Sequence, residues 1–163
     1  MRQIIIARKD LNMSPGKLAT QCCHASEAFL IRAIQEAVLV KTIGTEKDLI
    51  DILQIGLRRD IQDLWINHIF TKTVCEVKNR TQLMKAVNIA NELGLQEGKD
   101  FFLIKDYCFT ELQPEEVDEN GMGKTLTCIG FRPLPEETAH MISKKFQLCE
   151  LPTCVSEETD WAS

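Results

Sequence analysis

Hydrophobic positions along this 163-residue chain change period several times, and each change predicts an element. The run Ile4-Ile5-Ile6, within residues 2–8, is an apolar block with polar flanks, as in a buried strand. Asp10 to Ser14 then turns into a helix, with Ser14 as N-cap and Pro15 at the first helical position. On it Leu18, Cys22, Ala25 and Phe29 form an apolar stripe that predicts burial against a sheet. The pattern carries this helix to about Lys41, with Gly44 as its stop and Thr45 as the next cap. From Thr45 to about Phe70, Leu49, Ile52, Leu53, Leu57, Ile61, Leu64 and Trp65 recur at helical spacing. They predict two short helices, broken near Gly56 to Arg59.

Residues 71–77 alternate and are rich in β-branched side chains, which predicts a second strand. Thr81 caps a helix with Leu83, Val87, Ala90 and Leu93 on one side, ended by Gly94. Phe101 to Ile104 is a third strand and 124–131 a fourth, and Pro135 opens a last helix to about Phe146. This order predicts one α/β domain with a mixed four-stranded β-sheet. The last stretch, 149–163, has little periodicity and reads as an acidic C-terminal tail.

Composition adds three constraints. No apolar run reaches membrane-spanning length, and the N-terminus lacks the apolar core of a signal peptide, so a cytoplasmic protein is expected. Seven cysteines, an odd number without CxxC pairs, suit reduced thiols better than a disulfide framework or a zinc site. The net charge of −5 is unevenly spread: residues 111–120 hold five acids and 149–163 hold four, neither with a base. Setting those nine charges aside raises the net charge to +4, so the body is mildly basic and can hold a polyanion locally.

Candidate chemistry begins at the first helix. Gly16 and Lys17 occupy its first turn, where free N–H groups and the helix dipole favour an anion. A lysine there opposes the dipole, which implies a negative group for it to bind. Lys17, Gln21, His24 and Ala28 fall on one stripe. The end of the third strand delivers Asp106, with Thr110 four residues on. A lysine, a carboxylate and a hydroxyl at neighbouring strand ends suit ester or phosphate chemistry; they equally suit an ordinary strand end and turn. Cys22-Cys23-His24 raises a thiol nucleophile, but residues one and two apart do not face each other on a helix. His68 and His140 are isolated, no spacing suggests a metal site, and the glycines form neither a dinucleotide fingerprint nor a P-loop.

At these residues the chain resembles the type 2 (archaeal and eukaryotic type) peptidyl-tRNA hydrolases. The match lies in ArgLysAspLeu at 8–11 followed by MSPGKLATQCCHA at 13–25, then Ile104, Asp106 and Thr110, then Thr125-Leu126 and Ile129-Gly130 before a Pro-led helix. The resemblance implies a mixed sheet with helices packed on both faces, often in a homodimer. It implies metal-independent, cofactor-free hydrolysis of the ester between a peptide and the 3′ ribose of tRNA. Lys17, Asp106 and Thr110 would be catalytic, and Gly16, Gln21, His24 and Thr125 would contact the substrate, peptidyl-tRNA. The domain would span 1–148, with a helical insertion at about 37–61. Departures from the pattern are Pro15 in place of a base, Cys23 in place of a serine, and Cys108-Phe109-Thr110-Glu111 in place of Gly-Arg-Thr-Gln. The acidic loop 111–120 suits a catalytically inactive descendant that binds RNA or protein; the joint presence of Lys17, Asp106 and Thr110 suits the enzyme.

Overall fold

The computed structural model describes residues 1–150, so most of the proposed acidic tail lies outside the described residues. Strand β1 (Gln3–Arg8) is buried at every position and lies in the middle of the sheet. It pairs in parallel with β4 (Lys72–Val77) and antiparallel with β7 (Gly123–Phe131), which pairs in turn with β5 (Phe101–Asp106). Those four strands are the expected mixed sheet. Two-residue strands at its margins raise the count to six: β6 (Glu116–Val117) on β7 and β8 (Gln147–Leu148) on β4.

The apolar run in β1 is explained by cover on both faces. Ile5 and Ala7 meet Ala25 of α1 (Pro15–Gln35) and Cys128 of β7. Ile4 and Ile6 point the other way, into a larger core with Leu83 and Val87 of α3 (Arg80–Glu92) and Ala139 and Ile142 of α4 (Glu136–Ser143). Alternation along the strand therefore feeds two cores at once. Helix α3 starts one residue before the expected cap, with Asn79 accepting from the Gln82 amide.

The expectation of helices over 37–61 is not met. Helix α1 stops at Gln35, and a hairpin follows, β2 (Val38–Ile43) with β3 (Ile50–Gln54). The segment is rich in Val, Ile and Thr, whose branched side chains favour strand over helix. Gly44 is the hairpin turn rather than a helix stop: at φ +108° a Cβ would lie 2.0 Å from the Asp48 carbonyl oxygen. Helical spacing is borne out only further on, in α2 (Arg59–Ile61) and the wider-wound turn Gln62–Ile66. There Ile61 and Trp65 pack on Phe29 of α1.

One close approach sets the height of α1 over the sheet. A Cβ on Gly130 would sit 2.1 Å from the Ala25 carbonyl oxygen and 2.8 Å from its Cα. Neither backbone can yield without lifting the helix. Gly130→Ala is expected to lower the free energy of unfolding by about 1–3 kcal/mol, the usual range for forced overpacking. Urea denaturation checks it, and an unchanged midpoint would mean that α1 is not seated through this glycine.

Candidate active site

The start of α1 and the end of β5 come together through side chains. Ser14 caps the helix, its hydroxyl accepting from the Lys17 amide at 3.2 Å, which fixes the first turn. Lys17 then reaches the last residue of β5, with Nζ 2.7 Å from Asp106 Oδ2 and 3.1 Å from Thr110 Oγ1. One turn on, Gln21 Nε2 donates to the same Oδ2 at 2.8 Å. The Cys108 amide donates to Oδ1 at 2.8 Å. The negative group that Lys17 needs is thus the chain's own Asp106.

Both charges are largely withdrawn from water, with side-chain exposures of 15% for Lys17 and 11% for Asp106. Burial pushes the Asp106 carboxyl up, but Lys17, the Cys108 amide and Gln21 outweigh it and hold it below the ordinary carboxylate value. Asp106 is therefore an ionised, weakly basic carboxylate at neutral pH. Three of the roughly four lone-pair positions of a carboxylate are occupied, leaving one on Oδ1. Lys17 has three N–H donors, of which two are used here.

Gln21 is itself held, by a residue that sequence reasoning missed. Thr127 Oγ1 donates to Gln21 Oε1 at 2.7 Å, with the Ile104 carbonyl as a second acceptor at 3.1 Å. A hydroxyl donor on one side and a carboxylate on the other settle which end of the amide faces Asp106. Thr127 reaches Gln21 because β7 bulges: Ile104 pairs with Cys128 and Lys105 with Leu126, leaving Thr127 as the extra residue. Strict alternation back from Phe131 and Ile129 would have sent Thr127 into the opposite core. The residue type was visible in the sequence; its direction was not.

The remaining expected site residues are dispersed. Gly16 is exposed in the first turn of α1, and His24 is exposed one turn past Gln21, outside this hydrogen-bonded group. Thr125 is fully buried, accepting from the Glu115 amide at 3.0 Å and donating to the Gln113 carbonyl at 2.6 Å. Its hydroxyl pins the 113–115 loop. Burial pushes the Cys22 thiol up to about 11, so it is protonated at neutral pH and unsuited to nucleophilic attack. Among the described residues no group of His, Cys, Asp or Glu is placed to hold a metal ion. A concavity of about 580 Å³ between Arg32, Arg58 and Lys99 includes none of these residues.

The acidic loop is not the free appendage that its composition suggested. Arg8, with its side chain only 3% exposed, binds Glu115 through two hydrogen bonds of 2.6 and 2.7 Å. It also binds Asp10 and the Leu126 carbonyl. Arg80 pairs with Glu115 and Glu116, Lys105 with Glu116, and Lys124 with Asp118. Glu111 accepts from the Ser14 amide at 2.8 Å, at the start of α1. With its carboxylates so engaged, the loop no longer speaks for a non-catalytic descendant, and no other observation supports that alternative.

An α/β domain with a lysine–carboxylate–hydroxyl cluster at the end of a sheet strand can serve ester or phosphate chemistry. The family model described as Peptidyl-tRNA hydrolase PTH2 matches residues 1–149. A peptidyl-tRNA hydrolase of Sulfolobus acidocaldarius is 27% identical over 148 residues, covering 91% of this chain and 99% of that protein. One from Methanopyrus kandleri is 29% identical over 83% of this chain and 87% of its own length, and one from Thermoplasma acidophilum 25% identical over 90% and 97%. The chain belongs to the peptidyl-tRNA hydrolase PTH2 family.

The Gln21 support can be tested apart from any activity. Thr127→Val keeps shape but leaves a buried amide oxygen without a donor, and is expected to destabilise the fold by about 1–3 kcal/mol. Thr127→Ser should stay near the parent. Equal unfolding midpoints for all three proteins would show that the hydroxyl does not hold Gln21.

Proposed function

We propose that this chain hydrolyses the ester between a peptide and the 3′ ribose of tRNA, with Lys17, Asp106 and Thr110 as the reacting cluster and Gln21 as a positioning residue. The observation that carries the reading is the single ammonium of Lys17 shared between Asp106 and Thr110. The open lone pair of Asp106 Oδ1 holds the attacking water. Because the carboxyl sits below its ordinary value, it orients that water more than it deprotonates it. The third N–H of Lys17 stabilises the oxyanion that forms on the ester carbonyl. Water oxygen bonds to the carbonyl carbon, the bond to the 3′ oxygen breaks, one water proton passes through Thr110 to the 3′ oxygen to make its hydroxyl, and the other leaves with the peptide's carboxyl group. Gly16 and His24, exposed on the same helix, are the proposed outer contacts for tRNA.

Release of peptide from an N-blocked aminoacyl-tRNA tests this. Lys17→Ala and Asp106→Asn are each expected to lower kcat/KM by about 100-fold or more, the scale of losing one oxyanion donor. Absence of turnover by the well-folded parent would overturn the reading. The pH profile carries a second expectation. A lowered carboxyl keeps its charge down to the folded-state value, and the stability it contributes is complete above the unfolded-state value and lost as the pH falls through the folded one. The acid limb due to Asp106 therefore lies below the ordinary carboxylate range, and nuclear magnetic resonance titration of Lys17→Ala should show the carboxyl moved upward.

The homodimer is part of the same proposal. Its support is the hairpin β2–β3, which exposes Val38, Leu39, Val40, Ile43, Ile50 and Leu53. A two-stranded hairpin with that much uncovered apolar surface is marginal alone, and a second copy would cover it. Sedimentation velocity at micromolar concentration should give a dimer that Leu39→Glu dissociates; a parent that sediments as a monomer would refute it.

A further inference from the structure

Two exposed aromatic rings flank the reacting cluster and take no part in the contacts described so far. Tyr107 and Phe109 stand on either side of Cys108, between Asp106 and Thr110. Cys108 has φ +58°, a left-handed conformation that non-glycine residues rarely adopt, and its amide is held by Asp106. That kink lays the two rings side by side, with centroids 5.9 Å apart and planes 8° from parallel. They form an offset stack that stays open to solvent, Tyr107 48% and Phe109 76% exposed. Lys124 Nζ lies 4.6 Å from the Tyr107 centroid and pairs with Asp118.

We infer that Phe109, backed by Tyr107, is a stacking platform for the 3′-terminal nucleobase of the tRNA; this rests on the hydrolase reading above. The ester is carried by the terminal ribose, so its base lies within one nucleotide of the reacting carbonyl. Phe109 directly precedes Thr110, whose hydroxyl is bound to Lys17, so the ring stands within that reach. A planar ring suits any base, since stacking needs only a π face. The neighbouring cations reinforce the point: Lys17, Arg80, Lys105 and Lys124 are all paired with carboxylates of this chain. With charge near the site already neutralised, phosphate contacts contribute less there and stacking contributes more. The competing occupant is an apolar side chain of the peptide.

The experiment compares the parent, Phe109→Leu and Phe109→Trp on one N-acetylated aminoacyl-tRNA, with and without the base of the 3′-terminal nucleotide. Phe109→Leu keeps an apolar side chain but removes the ring, and should lower kcat/KM on the intact substrate about ten-fold. Phe109→Trp should restore it. On the substrate lacking the base, the three proteins should be equal. An equal loss on both substrates, the result expected if the ring meets the peptide side chain instead, or no loss on the intact one, overturns the platform. Binding of uncharged tRNA to Asp106→Asn, with and without the terminal base, reads the same contact without turnover. If the parent releases no peptide, the hydrolase reading fails and this binding decides alone. A preference for the intact end that Phe109→Leu erases keeps the platform, and equal binding removes it.

Discussion

The carboxylate of Asp106 ties the start of α1 to the end of β5. It closes a strand of the sheet, and it accepts from the first turn of α1, from the second turn of α1 and from the loop that follows it. An isolated buried carboxylate would be costly, so these three donors must converge for β5 to end as it does. The same convergence fixes Lys17 and Thr110 relative to each other. The height of α1, set by backbone contact at Gly130, and the direction of Gln21, set by the bulge at Thr127, both serve that one geometry.

A second polar network stands next to it. Arg8, at the end of the central strand, is almost fully buried and anchors Glu115 with a planar two-bond grip. That draws the 113–117 loop back over the sheet edge, where Thr125 holds it from below through the Glu115 amide and the Gln113 carbonyl. The acids of the loop are thus counter-charges for Arg8, Arg80, Lys105 and Lys124, and Arg8 holds Glu115 below its ordinary carboxyl value. The electrostatic consequence is local: a site whose cations are already answered, next to two uncovered aromatic rings.

The hairpin β2–β3 is of another kind. It forms its own two-stranded sheet, separate from the main one, and it is exposed along both strands. Nothing in it reaches the Lys17–Asp106 cluster. Its apolar side chains are exposed, in contrast to the central sheet, which covers itself with α1, α3 and α4.

Much of this was legible in the residues alone. Ser14, Pro15 and the stripe of Leu18, Cys22, Ala25 and Phe29 determined where α1 starts and which side it buries, because capping and helical period are local properties. The run Ile4 to Ile6 determined a strand covered on both faces, and the helix start and strand end singled out Lys17, Asp106 and Thr110, which the fold brings into contact. Two kinds of feature were not legible. Over 37–61 the apolar spacing fitted a helix while the branched side chains fitted strands, and only pairing of β2 with β3 decided between them. The partner of Lys17, the aim of Thr127 and the neutralisation of the acidic loop depend on contacts between segments about a hundred residues apart. Local patterns specify which face a side chain takes in a regular element. What that side chain meets is decided by the fold, and where a bulge shifts the register by one residue, even the face is.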